Sequence, residues 1–183
     1  MDEEGNETSA GRALPAKTIW LTGLSGAGKS TLALSLHQRL TRAGHAACII
    51  DGDTVRGGLN ADLGFTAADR AENVRRVAEI CKMINHSGVI AIAALISPTR
   101  ACRSAAKGVI GAHAFVEVHV SAALAVCEAR DVKGLYRRAR AGAIQHFTGV
   151  SDGYEPPDAA RLVLDTERMS IEACTDAMMG TLV

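Results

Sequence analysis

Several things are scarce in this chain of 183 residues, and each scarcity excludes a class of protein. There is no excess of one charge: 20 Lys and Arg balance 20 Asp and Glu, so a nucleic-acid partner, which needs a strongly basic face, is not expected. No apolar run reaches the roughly 18 residues that a membrane span requires, so no membrane partner is expected either. The five cysteines, Cys48, Cys81, Cys102, Cys127 and Cys174, contain no Cys-x-x-Cys pair, and the six histidines show no ligand spacing. That excludes a disulfide framework and a structural zinc site, and suits reduced, mostly buried thiols in a cytoplasmic protein. Internal repeats, low-complexity tracts and coiled-coil heptads are absent. Residues 1–16 are polar, acidic at the start and lack a signal-peptide core, so they read as a disordered tail before a single domain at 17–183. Aromatic residues make up 3 % of the chain, so a phenylalanine in a polar stretch calls for a reason.

What is present centres on residues 23–31, Gly-Leu-Ser-Gly-Ala-Gly-Lys-Ser-Thr, a complete match to the phosphate-loop pattern. Gly23, Gly26 and Gly28 let the backbone turn tightly and aim successive N–H groups at a polyphosphate, with Leu24, Ser25 and Ala27 between them. Lys29 is then placed to reach the β and γ phosphates, and the Ser30 hydroxyl to hold Mg²⁺, with Thr31 next to it. The context fits. Residues 18–22 form a short apolar run of strand character, and Leu32, Leu36 and Leu40 follow at helical spacing over 31–43. A helix starting at the loop adds its dipole to anion binding.

Further along, residues 46–50 read as a buried strand running into Asp51-Gly52-Asp53, two carboxylates expected on one side of an extended segment at the carboxyl end of a strand. Residues 54–65 read as irregular. Thr66 to Asp69 resembles a helix N-cap box, with Val74, Val77, Cys81 and Ile84 as the apolar stripe of a helix up to Gly88; Arg70, Asn73, Arg75 and Arg76 fall in its first turns, where a solvated face is the default. A central strand at 89–96 ends in Ser97-Pro98, a helix spans 99–111, a strand 114–120 and a helix 122–129. Residues 130–148 concentrate Arg130, Lys133, Arg137, Arg138 and Arg140, which beside a phosphate loop suggests a lid closing over a nucleotide. A last strand at 161–165 and a helix at 170–182 complete a five-stranded, mainly parallel sheet in a three-layer α/β/α fold of the P-loop kinase type. No hydrophobic strand ends in an obvious Walker B carboxylate, so Asp51 and Asp53 are the leading acidic candidates near metal and acceptor. A small-molecule kinase is expected, rather than a motor or switch.

Six stretches together resemble the adenylylsulfate kinase (APS kinase) family: GLSGAGKST at 23–31, DGDTVRGGLNADLGF at 51–65, DRAENVRR at 69–76, ISP at 96–98, CEARDVKGLYRRARAG at 127–142, and FTGV with a following YE at 147–155. The resemblance implies ATP-dependent phosphorylation of the 3′-hydroxyl of adenosine 5′-phosphosulfate, giving 3′-phosphoadenylyl sulfate. It implies ATP with Mg²⁺ at Gly23 to Ser30 and Arg137 in the lid. It places Asp51, Asp53, Arg56, Phe65, Arg70, Asn73, Ile96, Ser97, Lys133 and Phe147 in the adenylylsulfate pocket, with Asp53 accepting or orienting the 3′-hydroxyl proton. Lys29 would stabilise the transferring phosphoryl group. Phe65 and Phe147, two of three phenylalanines, sit in polar stretches where a stacked adenine suits them. Arg56 and Arg70 suit sulfate or phosphate oxygens.

The family resemblance further implies a homodimer, ATP sulfurylase as a functional partner, and Ser97 as a candidate phosphoserine intermediate; plain substrate contact is the alternative role for Ser97. Gly57, Leu95, Thr99, Cys102 and Gly153 depart from the family's usual residues. Two other functions remain open at this point: a P-loop kinase for another small metabolite, and a catalytically weakened module that binds the nucleotide.

Overall fold

Apolar runs of Ile, Val, Ala and Leu form five parallel strands: β1 (Thr18–Thr22), β2 (Ala47–Asp51), β3 (Ile90–Ala94), β4 (Phe115–Ser121) and β5 (Leu162–Asp165). Their order across the sheet is β2-β3-β1-β4-β5. The computed structural model describes residues 14–183; the expected tail lies outside the described residues up to residue 13, and Leu14 already packs against the core.

β1 and β3 are buried along their whole length, as near-continuous apolar runs in a sheet covered on both faces must be. Alternation along β1 divides the core in two. Ile19 and Leu21 face a cluster with Leu32, Leu36 and Leu40 of α1 (Lys29–Arg42), and Trp20 faces one with Val74, Val77 and Cys81. Those last three belong to the helix at Ala67–His86, numbered α3 below. Each of the three α1 leucines is withdrawn from water and contributes about 1.5–3 kcal/mol. Trp20, the one tryptophan, fits because its register partner on β3 is Ala93 and its ring lies 5.7 Å from that of Phe115. A large side chain here requires small ones opposite.

The remaining helices are α2 (Gly52–Arg56), α3 (Ala67–His86), α4 (Arg100–Ile110), α5 (Leu124–Arg130), α6 (Leu135–Arg140) and α7 (Ile171–Met179). α1 and α7 pack together on one face of the sheet, α3 and α4 on the other. Thr66 and Asp69 close a reciprocal capping box on α3, and the Thr99 hydroxyl caps α4 through the Cys102 N–H.

Three local expectations change. The loop lysine and serine form the first turn of α1, which therefore starts at Lys29. Asp51 and Asp53 do not share an extended segment: Asp51 is the N-cap of α2, its carboxylate accepting from the Asp53 N–H at 2.9 Å, so the stretch expected to be irregular opens with a helical turn. The cation-rich segment 130–148 also contains a helix, α6, whose start is fastened by the Asp131 carboxylate accepting from the N–H groups of Tyr136 and Arg137, both at 3.0 Å.

Candidate active site

The phosphate loop is shaped by what stands behind it. Gly23 has φ +150° and a Cβ there would meet the Val120 carbonyl oxygen at 2.3 Å; Gly26 has φ +77° and a Cβ would meet the Cys127 carbonyl oxygen at 2.8 Å. The loop is thus seated against the end of β4 and the middle of α5, where side chains are excluded. The Tyr136 hydroxyl donates to the Ser25 carbonyl at 2.9 Å, fixing the front of the loop from α6. Ser25, Gly26, Gly28, Lys29, Ser30 and Thr31 line a cleft of about 690 Å³, whereas Gly23, Leu24 and Ala27 lie behind its surface. Lys29 Nζ donates to the carbonyls of Gly23 at 2.9 Å and Leu24 at 2.8 Å. Burial pulls its pKa from 10.5 down to about 8, against the opposing influence of the Asp51 and Asp53 carboxylates. The Ser30 hydroxyl donates to Asp51 Oδ2 at 2.6 Å.

On the β2–β3 side of β1 the cleft is walled by α2, α3 and the end of β3. Arg56, at the last turn of α2, donates to the carbonyls of Leu63 at 3.3 Å and Gly64 at 2.7 Å, and its guanidinium lies 4.5 Å from the centre of the Phe65 ring. The Arg70 guanidinium lies 5.6 Å from the same ring and donates to the carbonyls of Phe65 and His146. Phe65 is half exposed, an aromatic plane flanked by two guanidinium groups and open to the cleft. Burial lowers the pKa of both arginines. Asn73 accepts from Asn60 Nδ2 at 3.0 Å. Arg70 and Asn73 are therefore buried cleft residues, while Arg75 and Arg76 pair outside with Glu72 and Asp62. Lys133 Nζ forms an ion pair with Asp53 across the cleft. Ile96 and Ser97 line the same wall.

Two expected residues sit differently from a simple projection into the cleft. Phe147 is 6 % exposed and meets Tyr136 edge to face at 5.0 Å, so it carries core packing as well as a share of the lining. Arg137 does not line the cleft; Arg138 does. The Ser97 side chain is turned inward, accepting from Trp20 Nε1 at 3.0 Å.

The β4–β5 side is lined by Arg130, one of the cations expected in the lid segment, and by four residues that pattern reading leaves out: Thr166, Met169, Ile171 and Cys174. Arg130 donates to the Gly26 carbonyl at 3.3 Å and the Thr166 carbonyl at 2.9 Å, and the Thr166 hydroxyl donates to the Ala27 carbonyl at 2.9 Å. Thr166 was findable, because it follows β5 at the carboxyl edge of the sheet, where α/β folds bind ligands. Met169, Ile171 and Cys174 carry no comparable signal.

Six cations, Lys29, Arg56, Arg70, Arg130, Lys133 and Arg138, face three carboxylates, Asp51, Asp53 and Asp131, in the cleft of a chain with no net charge. The site thus concentrates positive potential for polyanionic ligands. A parallel five-stranded sheet between two helical layers, a phosphate loop after its central strand and binding surfaces on both sides of that loop define a phosphate-loop kinase of the small-molecule type. The family model described as adenylylsulphate kinase matches residues 15–165. The chain belongs to the adenylylsulphate kinase family and is an enzyme with that kinase activity. It is 57 % identical over 165 residues to an adenylyl-sulfate kinase of Paraburkholderia xenovorans, covering 90 % of this chain and 92 % of the relative. Its fold matches the Mycobacterium tuberculosis APS kinase CysC in complex with AMPPNP and APS, at a TM-score of 0.88 and 42 % identity over 92 % of this chain and 98 % of that one. A hexameric APS kinase from Thiobacillus denitrificans matches at a TM-score of 0.70 and 33 % identity, over 95 % of this chain and 30 % of that one. No helix among the described residues is long and apolar enough to cross a membrane.

Proposed function

We propose that the chain transfers the γ-phosphoryl group of ATP to the 3′-hydroxyl of adenosine 5′-phosphosulfate, with the two nucleotides entering from opposite sides of the phosphate loop. The observation that carries this reading is the single cleft running from Arg130 and Thr166 past Lys29 to Phe65, Arg70 and Asn73. ATP takes the β4–β5 side, its phosphates on the loop N–H groups and Lys29. Adenylylsulfate takes the β2–β3 side, its adenine on Phe65 and its anionic groups on Arg56 and Arg70. Phosphoryl transfer of this kind depends on positioning and on stabilising the charge of three equatorial oxygens.

The Ser30 hydroxyl, Asp51 and Asp53 fit Mg²⁺, which is commonly held by one or two carboxylates together with substrate phosphates. When bound, Mg²⁺ neutralises charge building up between the β and γ phosphates. Asp53 orients the acceptor hydroxyl and receives its proton, and its ion pair with Lys133 holds the carboxylate in place across the cleft until substrate arrives. Lys29 and Lys133 stabilise the moving phosphoryl group. Ser97 supports the acceptor wall through its backbone, its hydroxyl engaged with Trp20. Transfer is direct between the substrates. Five free cysteines suit a reducing compartment such as the cytoplasm. A homodimer, with ATP sulfurylase as supplier of the acceptor, completes the reading.

A coupled ATP-consumption assay with adenylylsulfate, adenosine 5′-monophosphate, gluconate and shikimate as acceptors tests it. Turnover confined to adenylylsulfate and lost in Lys29→Ala is expected. Turnover with gluconate or shikimate instead would make it a kinase of another metabolite, and tight adenylylsulfate binding without turnover would make it a nucleotide-binding module.

A further inference from the structure

Ser97 has φ +39°, a left-handed backbone that a residue with a side chain adopts only when its surroundings impose it. Trp20 holds its hydroxyl, Thr22 reaches its carbonyl at 3.4 Å, and a side chain outside the cleft holds that carbonyl more closely. Arg103, on α4, is 3 % exposed and uses all three of its nitrogens: Nη1 donates to the Ser97 carbonyl at 2.8 Å, Nη2 to the Glu155 carbonyl at 2.7 Å, and Nε to Glu117 Oε1 at 2.7 Å. Glu117 stands on β4 in the middle of the sheet, so the guanidinium is referred to a rigid frame. Around it the Tyr154 ring lies 5.8 Å from the guanidinium, and the Tyr154 hydroxyl is 3.0 Å from that of Thr22, which itself donates to the Ile96 carbonyl at 2.7 Å. The Glu155 N–H donates to the Pro98 carbonyl at 2.8 Å.

The two backbone segments joined in this way are the two walls of the acceptor side. One is residues 96–98; the other carries Phe147 at the cleft and runs on behind it through 149–155. We infer that Arg103 is a positioning residue for the acceptor nucleotide: by holding the Ser97 and Glu155 carbonyls on one planar fork, it sets the spacing between Ile96–Ser97 and Phe147 that the acceptor occupies. It does not line the cleft and touches neither substrate. A lysine cannot replace it, since an ammonium is a single point that cannot serve three acceptors in fixed directions. A purely structural ion pair between Arg103 and Glu117 would predict something else, a loss of stability that leaves the ratio of the two substrate affinities untouched.

The inference rests on adenylylsulfate being the acceptor. Steady-state kinetics of Arg103→Lys and Glu117→Gln, each substrate varied with the other saturating, test it alongside thermal melting. For Arg103→Lys the KM for adenylylsulfate rises about tenfold with the KM for ATP within about twofold, a fraction of the roughly 10²-fold that a misplacement of about 1 Å can cost. Glu117→Gln, which keeps a hydrogen-bond acceptor but removes the charge, shows a smaller rise of about threefold in the same constant. Unchanged adenylylsulfate KM in the folded variants, or equal shifts in both KM values, overturns the inference whatever happens to the melting temperature. If Arg103→Lys does not fold, Glu117→Gln decides alone. A wild-type enzyme inactive on adenylylsulfate refutes the proposed function and this inference with it; an active wild type with unmoved variants refutes only the inference.

Discussion

Ser30 Oγ and Asp51 Oδ2 are 2.6 Å apart, although the strands that deliver them, β1 and β2, are not neighbours in the sheet. β3 lies between them, and it is short enough at its carboxyl end for the first turn of α1 and the N-cap of α2 to meet above it. The pair places a hydroxyl and a carboxylate together where a phosphate-bound Mg²⁺ would sit. Asp51→Asn separates the charge from the fold, because asparagine caps a helix as well as aspartate and keeps the bond to the Asp53 N–H. The expected outcome is an unchanged melting curve, a kcat lower by about 10²-fold, and a higher Mg²⁺ requirement in a metal titration of the rate.

Lys29 yields a prediction with a definite sign. Its folded pKa of about 8 lies below the ordinary 10.5, so between those values the unfolded chain holds a proton that the folded one does not. Stability therefore rises with pH across that window, by on the order of 3 kcal/mol in full, and below pH 8 the cost of burying the charge is present in full. Burial raises the pKa values of Cys81 and Tyr136 and works in the opposite direction, but equally in both proteins of a comparison. Denaturant unfolding of wild type and Lys29→Met near pH 7.5 and pH 10 should thus show a gain with pH that is smaller in the variant. In the wild type, kcat/KM for ATP should fall above pH 8 while kcat holds to higher pH, since bound phosphates keep the ammonium charged.

Ser97 discriminates between two chemical routes. Its hydroxyl accepts the indole N–H of Trp20, and direct transfer has no use for it as a nucleophile. Ser97→Ala is expected to keep activity within about tenfold, at a stability cost of about 1 kcal/mol for the indole left without its partner. Incubation with γ-labelled ATP alone should leave the wild-type protein unlabelled. Acid-stable label on Ser97, absent in the variant, would establish the phosphoserine route.

In the lid segment two adjacent arginines should differ. Arg138 lines the cleft and Arg137 does not. Arg138→Ala should lower kcat by about 10²-fold, the low end of the range for a group that stabilises transferring charge, and Arg137→Ala by less. The reverse order, measured at saturating substrates, would mean that segment 130–148 turns when nucleotide binds.

Much of this was legible in the residues, and for identifiable reasons. The phosphate loop, the buried runs of β1 and β3 and the capping box of α3 each state their structure locally. α2 was not legible because five residues contain no periodicity, although Asp51 two residues before Asp53 is also an N-cap pattern. Phe147 reads as a loop residue from its polar neighbours, and only the tertiary fold brings Tyr136 against it. Arg103 was hidden for a similar reason: its three partners, Ser97, Glu117 and Glu155, lie on separate segments that only the folded sheet brings together.

Trp20 turns this architecture into an instrument. It is the one tryptophan in the chain, withdrawn from water, with its indole nitrogen bonded to Ser97 of the acceptor wall. Almost all near-ultraviolet emission excited at long wavelength therefore originates at a single fixed point directly beneath the Ile96–Ser97 wall. Filling of that side of the cleft will be visible as a change in intrinsic fluorescence, without label or turnover. Loading of the opposite side by ATP will be nearly silent.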